Sequence, residues 1–547
     1  MRPHWTKRWK TAVLVAALAA FPGLSAAPRA LAQPPSPLPL NLPSPANADS
    51  ALALELGRIE GAPLSLGEAI HSAVTGGSLA QRTAAATLVA ARGTHTRESG
   101  AFDPNLFLNT DRLHDEQPTA SPFAGAPILT TDRTLGTGGA RITLPFGTHL
   151  EAALDGSKTE TNSAFASVNP QFDANGHISV RQPLLNGFGP GTNSEAKATG
   201  REAEAAKARY DDVILGVQAL VEETYWDLYA AERDLAVQRA IRSQAAAFVD
   251  QARLRAKAGL VGPSDVANAE AFLAQQEQVV LDREESLDQT SDLLANQIGH
   301  RPPGGAPRYK PVDVPPSEFP IEPEDSVVAL AGRENRELQA RERELAAAHA
   351  RVQGASWNRF PTLDVLGSLG GRGLSGTGHT VIFGTDTLVT NLQGDFGDAF
   401  SQVTSRDFPN WSLGIRFNFP IFLREGRGEL ERLRGVEEEA RDNYETELRT
   451  LQDQARTAHR ALVRASRRLD AARAGVDASR EQVRIGVLQY NNGRTTAFEL
   501  VRLGADLATA QERYSAALVR TARAAAALRF LTAGAYPPIP NEGSTKP

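Results

Sequence analysis

The chain of 547 residues contains no cysteine, and its only methionine is Met1. Without cysteine it can form no disulfide, no thiolate metal site, no cysteine nucleophile and no lipid attachment through a thiol. The absence of internal methionine also excludes thioether ligands for copper. The sequence therefore predicts a protein without metal or cofactor, stabilised by packing or by association of several chains.

Beyond residue 32, basic clusters and long apolar runs are also missing. The chain has 58 Lys and Arg against 64 Asp and Glu, for a formal net charge of −6. An acidic chain without a basic stretch argues against nucleic acid as a partner. Beyond residue 32 no run of about 18 apolar residues could span a bilayer as a helix. If the chain crosses a membrane, we expect it to do so as strands of a barrel.

Residues 1–32 have the three parts of a secretory signal peptide. A basic start precedes the apolar segment 11–24, which is too short to span a membrane, and the small residues Ala30 and Ala32 follow. We expect cleavage after Ala32, with Ala27 as the competing position. The sequence therefore predicts an exported protein.

Proline-rich stretches divide the remaining chain. Residues 33–62 are interpreted as a tether, 301–325 as a connector and 535–547 as a frayed tail. The sequence leaves open whether 33–62 pack along the helices or hang free. Between them lie two halves of similar length, 63–300 and 326–534. Each half is predicted to contain strands, a long helix, a tight turn and a second long helix, so the chain is interpreted as a two-fold internal repeat.

Matching segments at a nearly constant spacing support this repeat. Residues 178–185 (ISVRQPLL) align with 415–422 (IRFNFPIF) at an offset of 237. Residues 254–259 align with 488–493 at an offset of 234. The two offsets agree within three residues, although the segments lie far apart in each half.

The segment 411–419 alternates apolar and polar residues with the period of a strand. Its apolar face could contact lipid while its polar face lines a wet lumen. A half-buried strand of a soluble sandwich has the same period, so this pattern leaves both readings open. The apolar residues are Trp411, Leu413, Ile415, Phe417 and Phe419.

Strand counting leads to an oligomer. Two strand pairs per chain give about four strands, whereas about eight are needed for the smallest closed barrel. Since open edges are not tolerated in lipid, several chains must share one barrel, and three would supply about twelve strands. A further hairpin is indicated at 142–154, around Gly147. The sequence does not decide whether its strands add to this number. The stretches 120–139 and 370–404, rich in Gly, Ser and Thr, are interpreted as long outer loops.

The long helices give the clearest pattern. Apolar residues recur at alternating spacings of three and four, a period that predicts a left-handed coiled coil. Residues 195–258 contain no proline, and as one helix they would run roughly 95 Å at 1.5 Å per residue. Such a length suits a structure that bridges a compartment. The recurring positions are Leu448, Leu451, Ala455, Ala458, Leu462, Ala465, Leu469, Ala472 and Val476, with similar series at 214–228 and 266–280.

At this point the chain resembles the TolC-type outer-membrane efflux protein family, over essentially all of residues 63–534. The signal peptide, the repeat, the junction Gln-Pro-Leu-Leu at 182–185 and the turn Gly-Leu-Val-Gly-Pro-Ser-Asp-Val at 259–266 carry the resemblance. It implies a homotrimer with a joint twelve-stranded β-barrel in the outer membrane of a Gram-negative cell. A long α-helical coiled-coil barrel would continue into the periplasm. The resemblance also implies that its tip meets a periplasmic adaptor protein and, through it, an inner-membrane pump.

The resemblance also transfers roles to the two helical turns. The first turn matches the family's adaptor-contact surface, and the second precedes a helix that lines the constriction. The family often has two acidic residues there, three apart. This chain has Glu499 but Arg502, which lie one helical turn apart and are expected to pair and weaken any cation preference. The tip residues are Gly259, Leu260, Val261, Ser264, Asp265, Gly493, Arg494 and Thr495, and the constriction residues are Tyr490, Glu499 and Arg502.

Simpler structural roles remain open for the same turns. Gly259 and Gly493 fit the left-handed residue that ends a helix, and Ser264 or Asp265 fits the cap of the next one. Tyr490 alone is more often a packing residue than a gate.

No enzymatic motif accompanies these features. The ten histidines form no zinc-binding pattern, and the sequence contains no G-x-S-x-G. The segment 371–376 matches G-x-G-x-x-G, but no helix pattern follows, so we do not expect nucleotide binding. We expect a channel rather than an enzyme. The alternative is a periplasmic coiled-coil adaptor or scaffold protein, which predicts one helical hairpin and no duplicated strand-helix order.

Overall fold

The computed structural model describes residues 48–121, 124–259, 261–383, 386–492, 494–495 and 497–537. The predicted signal peptide, residues 33–47 of the tether and most of the tail therefore lie outside the described residues. The helices are α1 (Ala48–Arg58), α2 (Leu66–Thr75), α3 (Leu79–Ser99), α4 (Pro190–Lys257), α5 (Pro263–Ile298), α6 (Glu324–Glu334), α7 (Arg336–Asn358), α8 (Phe396–Ser405), α9 (Arg424–Asn491) and α10 (Ala497–Leu531). The strands are β1 (Ala62–Leu64), β2 (Asn105–Pro118), β3 (Ile128–Thr143), β4 (His149–Thr161), β5 (Val168–Pro183), β6 (Tyr309–Pro311), β7 (Thr362–Gly378), β8 (Thr380–Phe383), β9 (Asp386–Val389) and β10 (Phe408–Asn418).

Two very long helices dominate the fold, as the coiled-coil pattern predicts. Both α4 and α9 have 68 residues, and each is followed by a shorter antiparallel helix, α5 or α10. At 1.5 Å per residue each long helix runs about 100 Å. Strands followed by a long and a shorter helix thus occur twice along the chain, while the two-fold repeat stays a prediction.

The predicted seam positions of these helices lie at helix contacts. On α9 the buried side chains include Leu451, Ala455, Leu462, Ala465 and Leu469. Small residues let neighbouring helices approach closely, whereas each buried leucine contributes about 1.5–3 kcal/mol relative to an exposed one.

The main sheet has six antiparallel strands in the order β10-β7-β5-β4-β3-β2. The prediction of about four strands per chain is therefore wrong for the sheet of this single chain. The two additional strands, β3 and β4, form the hairpin indicated around Gly147. Its turn closes through a hydrogen bond from the Leu144 N–H to the Thr148 carbonyl, and Gly147 has a φ of 95°.

The two stretches interpreted as outer loops are largely ordered elements. Most of 120–139 belongs to β3, and 370–404 contains the end of β7, the hairpin β8–β9 and most of α8. Glycine and threonine misled the loop prediction here, because in this sheet the glycines make room for neighbouring backbone and side chains.

The proline-rich segments pack against the helices near the middle of α4. Residues 48–62 form α1 and the first residue of β1, and Ile59 and Ala62 are buried in the main apolar cluster with Tyr225. Over residues 48–62 the predicted tether therefore packs along the helices, one of the two alternatives that the sequence leaves open. In the connector, β6 pairs with β1 in parallel. In the predicted tail, Tyr536 is buried and donates a hydrogen bond to the carbonyl of Pro320.

Candidate functional site

One face of the six-stranded sheet is apolar and exposed. The strand pairings place Trp411 beside Leu369, and Leu369 beside Ile178, so apolar residues of successive strands share a face. The Trp411 side chain is 77% exposed, and Leu106 and Leu108 at the other edge of the sheet are each 81% exposed. Large apolar side chains exposed at both edges of one sheet face indicate contact with a partner or with lipid.

The opposite face of the sheet is polar and internally bonded. The Arg181 guanidinium lies 3.0 Å from the carboxylate of Asp364, which is only 2% exposed. The Asn175 side-chain amide donates to Asp155, and the hydroxyls of Ser368 and Ser412 lie 2.7 Å apart. Apolar and polar residues thus alternate most clearly along β10, as in sheets with lipid on one side and water on the other.

The apolar face has a defined height. On β7 the apolar and glycine residues of this face run from Leu363 to Gly373 before Ser375 follows. At ~3.4 Å per residue and a tilt of ~40° these residues rise roughly 25 Å. This is the height of the apolar band of outer-membrane barrels, about 25 Å.

A short helix that the sequence analysis missed covers part of this face. Ala399 of α8 is fully buried against Gly373, and a Cβ atom at Gly176 would lie 2.7 Å from Val403. A Cβ atom at Gly156 would lie 2.5 Å from the ring of Phe396. The signal for this helix is a set of glycines within strands, which marks close approach by another element.

The strands meet the helices at one end of the sheet. The Leu184 N–H donates to the carbonyl of Leu363, which ties the Gln-Pro-Leu-Leu junction to the beginning of β7. Between β5 and α4 the chain turns through Gly187 and Gly189, with φ values of 84° and 52°. A residue with a Cβ would be strained there, so the glycine-rich junction is explained by backbone geometry.

The first helical turn, between α4 and α5, is built from the residues predicted to form the adaptor-contact tip. Gly259 follows the end of α4 with a φ of 69°, in the left-handed conformation. The Asp265 carboxylate accepts a hydrogen bond from the N–H of Gly262 at 3.1 Å. Gly262, rather than Ser264 or Asp265, is therefore the N-cap residue of α5, and Asp265 supports the cap from the third helical position. Ser264 and Asp265 are exposed and Val261 is half-buried, while Leu260 lies outside the described residues.

The second turn, between α9 and α10, brings the remaining predicted residues to the end of the other helical hairpin. The Arg494 N–H donates to the carbonyl of Gln489, and Arg494 is exposed beside the half-buried Thr495. Gly493 lies outside the described residues. Tyr490 lies on the last turn of α9, and its side chain is also outside what the structure describes.

Glu499 and Arg502 form the predicted pair on α10. The Arg502 Nη1 atom lies 3.7 Å from the Glu499 Oε2 atom. Both side chains are partly exposed, at 42% for Glu499 and 63% for Arg502, so this pair is screened by solvent and worth at most about 1 kcal/mol. Its importance is electrostatic, because the two charges cancel at the predicted constriction.

Buried acids were not predicted from the sequence. Burial, reinforced by the negative charges of Glu337 and Glu447, raises the pKa of Asp212 to about 6. Burial and the nearby Glu512 raise the pKa of Asp234 to about 6, while Arg283 acts in the opposite direction. These acids lie on α4 at its contacts with other helices, where heptad spacing alone does not reveal how deeply a polar position is buried.

Two features are absent from the described residues. No group of three or more His, Asp or Glu side chains comes together in a way that could hold a metal ion. Among the described helices, none is sufficiently long and apolar to cross a membrane.

Solved structures with a similar fold are outer-membrane channels. The outer-membrane channel OprN superposes with a TM-score of 0.58 at 19% identity, over 86% of this chain and 91% of that one. The CmeC outer membrane channel of Campylobacter jejuni gives a TM-score of 0.55 at 14% identity, covering 86% of each chain. The MtrE outer membrane channel of Neisseria gonorrhoeae gives 0.55 at 17% identity, over 86% and 89%. At these identities the likeness establishes the fold.

Sequence comparison adds the family. No curated protein matches the chain. The family model for outer membrane efflux proteins matches residues 145–300 and 327–534, which together make up more than half of the chain. The chain therefore belongs to the outer membrane efflux protein family.

Proposed function

We propose that this protein is the outer-membrane channel of a tripartite efflux or type I secretion system. Three copies form one tunnel, with the sheet in the outer membrane and the helices in the periplasm. Cargo passes from an inner-membrane pump, through a periplasmic adaptor, to the outside. The observation that carries this proposal is a sheet with an apolar face about 25 Å tall, covered in part by α8, that is continuous with helices about 100 Å long.

The two helical turns are the proposed adaptor surface. They lie at the far ends of α4 and α9, as distant from the sheet as the chain extends along these helices. Exposed Ser264, Asp265 and Arg494 offer polar contacts beside the half-buried Val261 and Thr495. Glu499 and Arg502 follow on α10 and are proposed to line the constriction.

Cysteine labelling tests the orientation across the membrane, because the chain has no cysteine of its own. Thr387→Cys places a thiol in the hairpin β8–β9 at the outer end of the sheet, and Arg494→Cys places one at the helical tip. We expect a membrane-impermeant maleimide to label the first variant in intact cells. It should label the second only after the outer membrane is permeabilised. Equal labelling of both in intact cells, or of neither, would contradict the proposal.

A further inference from the structure

The six-stranded sheet has two edges of matching character. Within the described part of the chain, β2 and β10 each pair on one side only. All pairings are antiparallel and the number of strands is even, so β2 and β10 run in opposite directions and can pair with each other. An unpaired edge leaves N–H and C=O groups unsatisfied in lipid. The edge of β10 therefore fits the edge of β2 in a second copy of this chain.

The register offset between the strands of one chain corresponds to the strand tilt of a closed barrel. Both β2 and β10 join their helices at the same end of the sheet, at Asn105 and Asn418. Paired residues lead from Asn105 across the sheet to Ser412, which lies six residues before Asn418. The path crosses five strand-to-strand spacings of ~4.8 Å and is offset by six residues of ~3.4 Å each along β10. These distances correspond to a strand tilt of roughly 40°, and the strands of closed barrels are tilted by about 35–45°. The path runs through Asn105, Arg141, Glu151, Ser179, Ser368 and Ser412.

The helices next to the sheet leave room for the additional hairpin. α3, α4, α7 and α9 are neighbours in that order, and they continue from or into β2, β5, β7 and β10. The strands β3 and β4 lie between β2 and β5 without helices of their own. A chain therefore contributes four helices but six strands at this junction.

We propose that three copies close a barrel of eighteen strands, through β2 of one chain and β10 of the next, rather than the twelve strands that the resemblance implies. This inference rests on the proposed trimeric channel. With strands ~4.8 Å apart and tilted ~40°, eighteen strands give a backbone diameter of about 36 Å and twelve give about 24 Å. Twelve helices packed 8–10 Å apart form a ring roughly 31–38 Å across, which fits the wider barrel.

The stagger also predicts the register across the seam. Continuing the same slope from β10 to the next chain, with apolar residues on a common face, places Leu108 opposite Ile415 or Phe417. On the polar face the same two registers place Asp111 opposite Ser412 or Gly414. Asp111 and Ser412 are both exposed in the single chain. Large apolar residues then meet across the seam on the lipid side and polar residues meet on the lumen side.

Disulfide cross-linking tests the seam against a background without native cysteine. We would combine Asp111→Cys with Ser412→Cys in one variant and with Gly414→Cys in another, and oxidise each in outer membranes. The matched control combines Asp111→Cys with Leu413→Cys, which lies on the same edge strand but on the opposite face. We expect one of the two polar-face variants to give covalent dimers and trimers on a boiled, non-reducing gel, and the control to remain monomeric.

The outcomes separate this inference from the proposed function. An unheated gel of the cysteine-free protein shows first whether an outer-membrane trimer exists, and its absence would overturn both. If the trimer exists but neither polar-face variant cross-links, or the control cross-links equally, the eighteen-stranded seam is wrong while the channel proposal stands. Should both variants fail to assemble, Leu108→Cys with Ile415→Cys or Phe417→Cys repeats the test. Electron-microscopy projections of the trimer measure the ring directly: about 36 Å supports the proposal and about 24 Å overturns it.

Discussion

The guanidinium of Arg502 lies 3.7 Å from the carboxylate of Glu499, one turn further along α10. In three copies this pair places a ring of six charges with no net charge at the proposed constriction. A ring built from acids alone would attract and hold cations, because like charges at short range add their potentials.

Replacing Arg502 by Gln is therefore expected to leave three uncompensated carboxylates and to increase cation selectivity. Reversal potentials of the reconstituted channel in a salt gradient measure this shift, and block by a trivalent cation should strengthen in parallel. Glu499→Gln should shift the selectivity in the opposite direction. Arg456→Gln, which removes a similar exposed pair with Asp453 on α9, serves as the control. Unchanged selectivity in both constriction variants would place the pair away from the conduction path.

The contact between α8 and the glycines of the sheet gives a prediction about packing. Gly373→Val adds a side chain where Ala399 already contacts the strand, so we expect α8 to be displaced at a cost of about 1–3 kcal/mol. Limited proteolysis of the trimer in vesicles should then cut within 391–407, and the temperature at which the trimer dissociates should fall. Gly367→Val is the matched control on the same strand and face, because a Cβ atom there meets nothing within 4 Å. Equal sensitivity of the two variants to proteolysis and heat would argue against this contact between α8 and the sheet.

Burial of Asp234 predicts how stability depends on pH. Its pKa is raised to about 6 in the folded chain, mainly by burial and then by Glu512, whereas the ordinary value is 3.8. Between these values the folded state binds a proton that the unfolded state does not. Stability from this group therefore increases as pH falls from about 7 towards 4.

Asp234→Asn should remove this part of the pH dependence and stabilise the protein at pH 7. Thermal unfolding of the purified trimer, followed by circular dichroism at several pH values, measures the slope. Asp477→Asn, at a side chain that is 65% exposed on α9, should leave the slope unchanged. A steeper slope in Asp234→Asn than in the parent protein would contradict the assignment.

Tyr225 ties the connector to α4. Its hydroxyl donates to the carbonyl of Leu64 and accepts from the N–H groups of Val312 and Asp313. Tyr225→Phe leaves the half-buried N–H of Asp313 without this acceptor, while the Val312 N–H still donates to the Leu64 carbonyl. We therefore expect a cost of about 1 kcal/mol. Proteolysis within 301–325 should accelerate. Tyr444→Phe is the control, since the Tyr444 hydroxyl makes no hydrogen bond within the described part of the chain. No difference between the variants would show that the connector is held by apolar packing alone.

The helical half of the fold follows closely from the sequence because coiled-coil packing is a one-dimensional pattern. The spacing of Leu451, Ala455 and Leu462 specifies both the helix and its buried side. Gly259 and Asp265 likewise encode their turn locally, through a left-handed residue and a helix cap.

The sheet was harder to predict because its strands depend on long-range partners. Gly139 and Gly373 resemble loop residues in the sequence, and only the neighbouring strand or α8 explains why no side chain fits there. The packing of residues 48–62 could not be decided from the sequence for the same reason, since their partners on α4, such as Tyr225, lie more than 150 residues away along the chain. The usual rule that apolar strand residues are buried also fails for this sheet. Trp411 is exposed on the outer face, whereas a soluble sandwich would bury it.

The central claim is a trimeric channel in the outer membrane. The most direct test is to express the chain with residues 1–32 in a Gram-negative host, separate the membranes, and run the outer-membrane fraction unheated and boiled on a gel. The account predicts a heat-sensitive band near the mass of three chains that collapses to the monomer on boiling. A soluble periplasmic protein without such a band would contradict it and favour the coiled-coil scaffold.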